Sequence, residues 1–220
     1  MRSFIAIDLP EVFIKKIKVL QDKLKRDCKA KVSWSAPENI HLTLKFLGEV
    51  QEVQLDAITT AIKNTCIGIN RFELSVNGIN GFPNLNSPRV IWLGIKTCGN
   101  LLQTIYERLE AVLADLGFEK EKRRFSPHLT LGRIREPDKE TDFKGILAHV
   151  KDAELGEFIA DGIVLYKSEL NPKGAVYTKL YECPLTPSTP LKVVLKPFPD
   201  GEREKERGKR RRDYGSIRQE

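Results

Sequence analysis

The chain has 220 residues, of which 40% are hydrophobic and 30% are charged, and a formal net charge of +7. This composition is typical of a globular protein with a sizeable core, and without a run of eighteen apolar residues it excludes a membrane-spanning helix. The N-terminus enters a predicted strand at once and lacks the apolar stretch of a signal peptide, so we expect a cytoplasmic protein.

Strands and helices are predicted to alternate from the first residues onward. Apolar periodicity and turn residues predict strands at 3–9, 31–35, 41–48, 72–76 and 89–95, helices at 10–26 and 52–64, and a loop over 77–88. The second half follows with helices at 101–116 and 139–150 and strands from 128 and at 157–159, 162–168 and 175–182. Beyond these elements the composition changes, because the last 25 residues hold nine Lys and Arg.

The tetrapeptide His-Leu-Thr-Leu occurs twice, at 41–44 and at 128–131, and uses two of the three histidines. Thr accounts for only 11 of the 220 residues, so this repetition is a rare coincidence unless it serves a function. Side chains alternate along a strand, so His and Thr point to one face and the leucines point to the core. His149 stands in no such motif and is not expected to be catalytic.

The two halves resemble a diverged duplication. The motif histidines lie 87 positions apart (128 − 41), and Asn-Gly-Ile at 77–79 precedes Asp-Gly-Ile at 161–163 by 84 (162 − 78). A pseudo-two-fold of this kind brings equivalent strands together at a central groove. We therefore predict that His41, Thr43, His128 and Thr130 face one another there, as two half-sites.

Two histidines and two hydroxyls supply an acid, a base and hydrogen-bond donors for moving a phosphodiester bond without a metal. Cys28, Cys66, Cys98 and Cys183 are scattered, and this spacing argues against a zinc site and a disulfide framework. No Walker-type loop is present, so we expect neither a metal nor another cofactor. Arg133, at the mouth end of its strand, is either a phosphate ligand or a solvent-facing residue.

The paired motifs, with Phe-Leu-Gly at 46–48 and Ser-Pro at 126–127, resemble the 2H phosphoesterase superfamily. Within it the chain is most similar to the RNA 2′,3′-cyclic phosphodiesterases, also called 2′-5′ RNA ligases. Further similar segments are Arg-Ser-Phe-Ile-Ala-Ile at 2–7, Arg-Val-Ile-Trp-Leu-Gly at 89–94 and Leu-Tyr-Lys-Ser-Glu-Leu at 165–170. The resemblance covers roughly residues 1 to 184. It implies a bilobal α+β fold of two antiparallel sheets flanked by helices, with both motif strands at the floor of the groove.

The resemblance also implies a reaction and a partner. RNA ends with a 2′,3′-cyclic phosphate, such as those of tRNA halves, are expected to be opened to 2′-phosphates, and the reverse reaction joins RNA through a 2′-5′ linkage. We favour His41 as the acid and His128 as the base, although the sequence does not order them. Phe46 and Phe125 are candidates for stacking on a base. Strand alternation places Phe46 with the core leucines, whereas the resemblance favours the stacking role.

Other interpretations stay open at this stage. The scaffold fits a non-catalytic module that binds RNA or a nucleotide, and it also fits an enzyme acting on a different cyclic diester. We expect a monomer with one catalytic domain over 1–184, followed by a Pro-containing linker and a basic, disordered tail over 185–220. That tail either adds non-specific RNA affinity or is a solvated extension.

Overall fold

Strands and helices alternate along the chain in a computed structural model, which describes residues 1–136, 141–148, 155–172 and 174–187. Within these ranges the chain forms nine β-strands and four α-helices. In chain order they are β1 (Arg2–Ile7), α1 (Glu11–Asp27), β2 (Lys31–Trp34), β3 (Leu42–Glu49), α2 (Leu55–Cys66), β4 (Phe72–Phe82), β5 (Val90–Thr97), α3 (Leu101–Asp115), β6 (His128–Glu136), α4 (Phe143–Ala148), β7 (Glu157–Ala160), β8 (Gly162–Asn171) and β9 (Gly174–Pro184). Every predicted element has a counterpart here, with shifted boundaries.

The strands form two sheets, in which all pairings between named strands are antiparallel. Sheet A has the strand order β3-β1-β8-β9, and sheet B has the order β2-β6-β5-β4-β7. Helices α2 and α3 pack against strands of sheet A, and α1 packs against sheet B, where the rings of Phe13 and Phe158 lie 4.9 Å apart. The α+β prediction with two antiparallel sheets is confirmed.

The two halves of the chain exchange strands. Each half runs strand, helix, motif strand, helix, strand: β1-α1-β3-α2-β4 in the first and β5-α3-β6-α4-β8 in the second, with β2, β7 and β9 added. Sheet A takes β1 and β3 from the first half but β8 from the second, while sheet B takes β5 and β6 from the second but β4 from the first. The duplication is therefore present, and neither half forms its sheet without the other.

The motif leucines anchor both sheets in the core, as the alternation predicts. Leu42, Leu44, Leu129 and Leu131 are each at most 3% exposed. Burying a leucine side chain is worth about 1.5–3 kcal/mol relative to leaving it exposed. Removing four such side chains from water stabilises the two strands on which the histidines and threonines stand.

One predicted loop is partly wrong. Residues 77–82 continue β4 rather than forming the start of a loop, and the pairing with β5 shifts between Val76 and Ile79. Gly78 adopts a φ of 69°, a conformation that glycine adopts without steric cost. The Gly-containing stretch is thus a β-bulge inside a longer strand, because a bulge accommodates extra residues without ending the ladder.

Parts of the predicted fourth helix and of the predicted tail lie where the structure does not test them. Residues 139, 140, 149 and 150 of the predicted fourth helix, which include His149, lie outside the described residues, as do 188–220 of the predicted tail. The domain boundary at 184 stays a prediction. In the described part of the chain, no helix combines the length and apolar character needed to cross a membrane.

Candidate active site

Both motif histidines are held by the backbone just upstream of them. Nδ1 of His41 lies 2.8 Å from the carbonyl oxygen of Asn39, and Nδ1 of His128 lies 2.7 Å from the carbonyl oxygen of Ser126. Because a carbonyl oxygen only accepts hydrogen bonds, Nδ1 carries the proton in each neutral ring and Nε2 keeps its lone pair. The two rings therefore offer the same atom for proton transfer.

The segments that hold the rings are themselves tied to neighbouring strands. Nδ2 of Asn39 donates to the carbonyl of Ala175 in β9 at 2.7 Å. On the other side, the amide of Ile95 in β5 donates to the carbonyl of Pro127 at 3.1 Å. The position of each imidazole is thus fixed by the sheets rather than by a free loop.

The two threonines lie on the same strand faces as their histidines. Thr43 pairs across the ladder with Ala6 of β1, and Thr130 pairs with Trp92 of β5. Both threonine side chains are half-buried, whereas the leucines on either side of them are buried. Each half-site consequently carries a ring nitrogen and a hydroxyl on one accessible face.

The two half-sites are brought together by contacts between the sheets. Strands β3 and β6 contact each other directly. On the sheet B side, the buried amide of Gln21 in α1 donates to the carbonyls of Ser35, which follows β2, and Leu131 in β6, at 2.9 Å each. Across the space between the sheets, Arg133 of β6 acts electrostatically on the phenol of Tyr177 in β9. Strands β3 and β6 therefore lie side by side where the two sheets meet. That the four motif side chains face one another across a groove stays a prediction.

A β-bulge lies at the last residue of each motif and changes the face on which later side chains lie. The pairing of β3 with β1 skips Leu44, and the pairing of β6 with β5 skips Leu131. Because side chains alternate with a period of two, one extra residue reverses the facing of those that follow. The residue five positions after each histidine, Phe46 in β3 and Arg133 in β6, therefore returns to the histidine's face.

The expectation from strand alternation that Phe46 belongs to the core is wrong. Its side chain is 68% exposed, and its ring centroid lies 6.1 Å from that of Phe4. An exposed aromatic ring beside the site keeps Phe46 available for stacking on a base. Phe125, in contrast, stacks on Tyr106 with centroids 4.2 Å apart and planes 6° from parallel, so one face of its ring is already covered.

Aromatic rings surround His41. Its ring stacks on Phe4 at 4.5 Å, meets the edge of Tyr177 at 5.3 Å and lies 6.2 Å from Tyr166. Burial among these rings lowers the pKa of His41 below 6.5, while the Asn39 carbonyl and the Asp8 carboxylate act in the opposite direction. His41 is thus a desolvated imidazole with one carboxylate nearby.

The surroundings of His128 are different. Phe82 and Trp92 approach its ring with centroids at 5.2 and 5.8 Å, both edge-on, and they stack on each other at 4.7 Å. The indole Nε1 of Trp92 is buried and has no hydrogen-bond partner among the described residues. Trp92 is thus a half-buried ring that packs against the motif histidine.

Sequence reasoning missed several residues around the histidines. The rings of Phe4, Phe82, Tyr166 and Tyr177 lie beside them, and the Asp8 carboxylate acts on His41 electrostatically. A signal for Phe4 and Asp8 was present, since Phe4, Ala6 and Asp8 alternate with Ile5 and Ile7 and so point to one side of β1 and of the residue that follows it. The others reach the site from distant parts of the sequence, where the motif gives no indication of them. Among the described residues, no three His, Cys, Asp or Glu side chains cluster in a way that could hold a metal ion.

The family model described as LigT like Phosphoesterase matches this sequence twice, over residues 7–92 and 93–177. The RNA 2′,3′-cyclic phosphodiesterase of Methanocaldococcus jannaschii is 38% identical over 182 residues, which are 83% of this chain and 99% of that protein. The protein of the same name from Thermotoga maritima is 38% identical over 185 residues, covering 83% and 95%. The double match coincides with the duplicated order of elements.

Solved structures show the same fold. The protein TT0787 of Thermus thermophilus superposes with a TM-score of 0.70 at 27% identity, covering 86% of this chain and all of that one. The LigT protein of Escherichia coli complexed with 3′-AMP gives a TM-score of 0.65 at 26% identity, covering 84% and 98%. The comparisons agree with the resemblance drawn from the paired motifs.

Proposed function

The chain belongs to the LigT-like phosphoesterase family, and from this premise we propose that it hydrolyses RNA 2′,3′-cyclic phosphate ends to 2′-phosphates without a metal ion. One observation carries the proposal: the two motif histidines, at the contacting strands β3 and β6, each have Nδ1 bonded to a carbonyl, which leaves both Nε2 atoms for proton transfer. The relatives' names support the substrate class, and the 3′-AMP complex of the E. coli protein supports a nucleotide as the ligand.

The reaction needs one proton removed and one supplied. Nε2 of neutral His128 takes a proton from water, whose oxygen attacks phosphorus in line with the bond to O3′. That bond breaks, its electron pair goes to O3′, and O3′ takes the proton from Nε2 of protonated His41. The product is a 2′-phosphate with a free 3′-hydroxyl, and exchange with solvent restores both rings.

Other residues of the site hold the phosphate and the base and stabilise the negative charge that develops on the phosphate oxygens. The hydroxyls of Thr43 and Thr130 donate hydrogen bonds to the two non-bridging oxygens, where negative charge increases in the transition state. Arg133 supplies a positive charge on the same face of β6, and Phe46 stacks on the terminal base. Because one face of Phe125 is covered by Tyr106, it is the weaker of the two stacking candidates.

A single experiment tests the proposal. The protein is incubated in excess EDTA with an oligonucleotide ending in a 2′,3′-cyclic phosphate, and the products are separated by chromatography. We expect complete conversion to the 2′-phosphate and no 3′-phosphate. A requirement for added metal would contradict the proton-transfer mechanism, whereas tight binding without turnover would favour a non-catalytic RNA-binding module.

The same groove is expected to run the reaction backwards. If a 5′-hydroxyl replaces water, His128 deprotonates that hydroxyl in the same way and a 2′-5′ linkage forms. With a large excess of 5′-hydroxyl RNA we expect a ligated product that resists nucleases specific for 3′-5′ bonds. Hydrolysis without any ligated product at saturating acceptor would limit the activity to the diesterase.

A further inference from the structure

Asp8 stands next to the His41 half-site, one residue beyond the last pair, Ile7 with Leu42, in the ladder of β1 and β3. Both of its carboxylate oxygens have partners. The hydroxyl of Tyr166 donates to Oδ1 at 2.6 Å, and Nζ of Lys179 lies 2.7 Å from Oδ2. These contacts fix the carboxylate in place. Burial lowers the pKa of His41, and the charge of Asp8 acts against that lowering.

The charges around this carboxylate sum to a negative value. Lys179 also pairs with Glu182 at 3.1 Å, so the cluster of Asp8, Lys179 and Glu182 carries one net negative charge. Of the other groups that face His41, Tyr166 and Tyr177 have pKa values raised by burial and stay neutral near pH 7. Two cations outside this cluster, Arg2 and Arg133, act on Tyr177.

The other half-site lacks a carboxylate at the matching place. In sheet B, β5 pairs with the motif strand β6 in the way that β1 pairs with the motif strand β3 in sheet A. Trp92 lies opposite Thr130, and Ala6 lies opposite Thr43 at the corresponding place. Two residues further on, the residue opposite His128 is Gly94, where the first half has Asp8. A glycine offers no charge, so the two histidines stand in different electrostatic surroundings.

We propose that Asp8 is a positioning residue for His41: its carboxylate, held by Tyr166 and Lys179, stabilises the imidazolium form of His41 against the desolvation of that ring, as a proton donor requires. A nearby negative charge favours the protonated form of a histidine, which an acid requires before it reacts. Gly94, opposite His128, carries no charge, so the second half-site has no counterpart of Asp8 at this position. This assignment rests on the proposed function.

The first test measures the pKa values of the two histidines directly and needs no substrate. The ring resonances of His41 and His128 are followed by NMR across the pH range in the full-length protein. Asp8→Asn keeps an oxygen that accepts from Tyr166 but removes the charge, and we expect the pKa of His41 to fall. Lys179→Met removes the neutralising cation, and we expect the pKa of His41 to rise. His128 should titrate as in the wild type in both variants.

Shifts of the His41 pKa in opposite directions distinguish an electrostatic role of Asp8 from a structural one. A general loss of packing around the ring would shift the His41 pKa in the same direction in both variants. Glu136→Gln, which removes an exposed carboxylate paired with Lys31, is the matched control and should move neither ring. An unchanged His41 in Asp8→Asn, or shifts of one sign in both variants, would overturn the proposal. Should Asp8→Asn fail to fold, the absence of a rise in Lys179→Met overturns it alone.

The second test uses kcat/KM for the cyclic phosphate as a function of pH. If His41 is the donor, Asp8→Asn loses activity above the pKa of His41, by about tenfold for each unit that this pKa falls, and loses little at lower pH. A gain at acidic pH without a loss at alkaline pH would identify His41 as the base instead. If the wild type has no activity, the proposed function fails, while the NMR titration still decides what Asp8 does.

Discussion

Replacing either motif histidine with asparagine is expected to reduce kcat/KM for the cyclic phosphate by about 10²- to 10⁴-fold, the usual contribution of one general acid or base. Asparagine can keep a donor to the carbonyl of Asn39 or Ser126 but has no atom that takes the place of Nε2. The His41→Asn and His128→Asn variants therefore separate proton transfer from the anchoring of the side chain. Initial rates are measured over a range of pH values.

The third histidine provides the control. His149→Asn should keep the wild-type rate, and chemical denaturation should show all three variants folded. The wild type should give a bell-shaped pH profile, because one ring must be protonated and the other neutral. Retention of near-normal rates by both single motif variants would rule out the paired mechanism.

Lys45→Met is expected to lower the free energy of unfolding by about 3–5 kcal/mol, the usual cost of leaving one buried charge without its partner. Lys45 is the first residue after the first motif, and the bulge in β3 directs its side chain into the interior. Nζ lies 2.7 Å from Glu110 of α3 and donates to the carbonyl of Glu119 at 2.6 Å. Its side chain is only 7% exposed and that of Glu110 only 10%.

An exposed ion pair of the same length gives the comparison. Lys31 and Glu136 are also 2.7 Å apart but about 70% exposed, so Lys31→Met should cost about 1 kcal/mol or less. The double variant Lys45→Met with Glu110→Gln should recover much of the loss, because it leaves no unpaired charge. Equal losses in Lys45→Met and Lys31→Met, measured by urea denaturation with unchanged slopes, would show that the buried pair does not stabilise the fold.

Much of this fold could be predicted from the sequence, because its strands follow a simple alternation. In the motifs, His, Leu, Thr and Leu have one polar and one apolar face, and burial of the leucines fixes which face is which. The repeat of that pattern indicated the duplication. Short-range periodicity contains this information because a strand buried on one face must alternate.

The rest of the site depends on features that alternation does not encode. Leu44 and Leu131 are extra residues in their ladders, and these bulges decide that Phe46 and Arg133 face the site. Tyr166 reaches Asp8 from 158 positions away, and this contact exists only after β8 has paired with β1. Register shifts and long-range pairing are tertiary outcomes, so a single sequence does not indicate them.

The strand exchange has a consequence for how one groove obtains two unlike proton carriers. A half-length chain that paired with a copy of itself could exchange the same strands, but two-fold symmetry would then put one identical residue beside both histidines. In a single chain, Asp8 and Gly94 are separate positions and each accepts its own substitutions. When the two halves are joined in one chain, the scaffold stays close to symmetric, but the residue beside His41 and the residue beside His128 can differ.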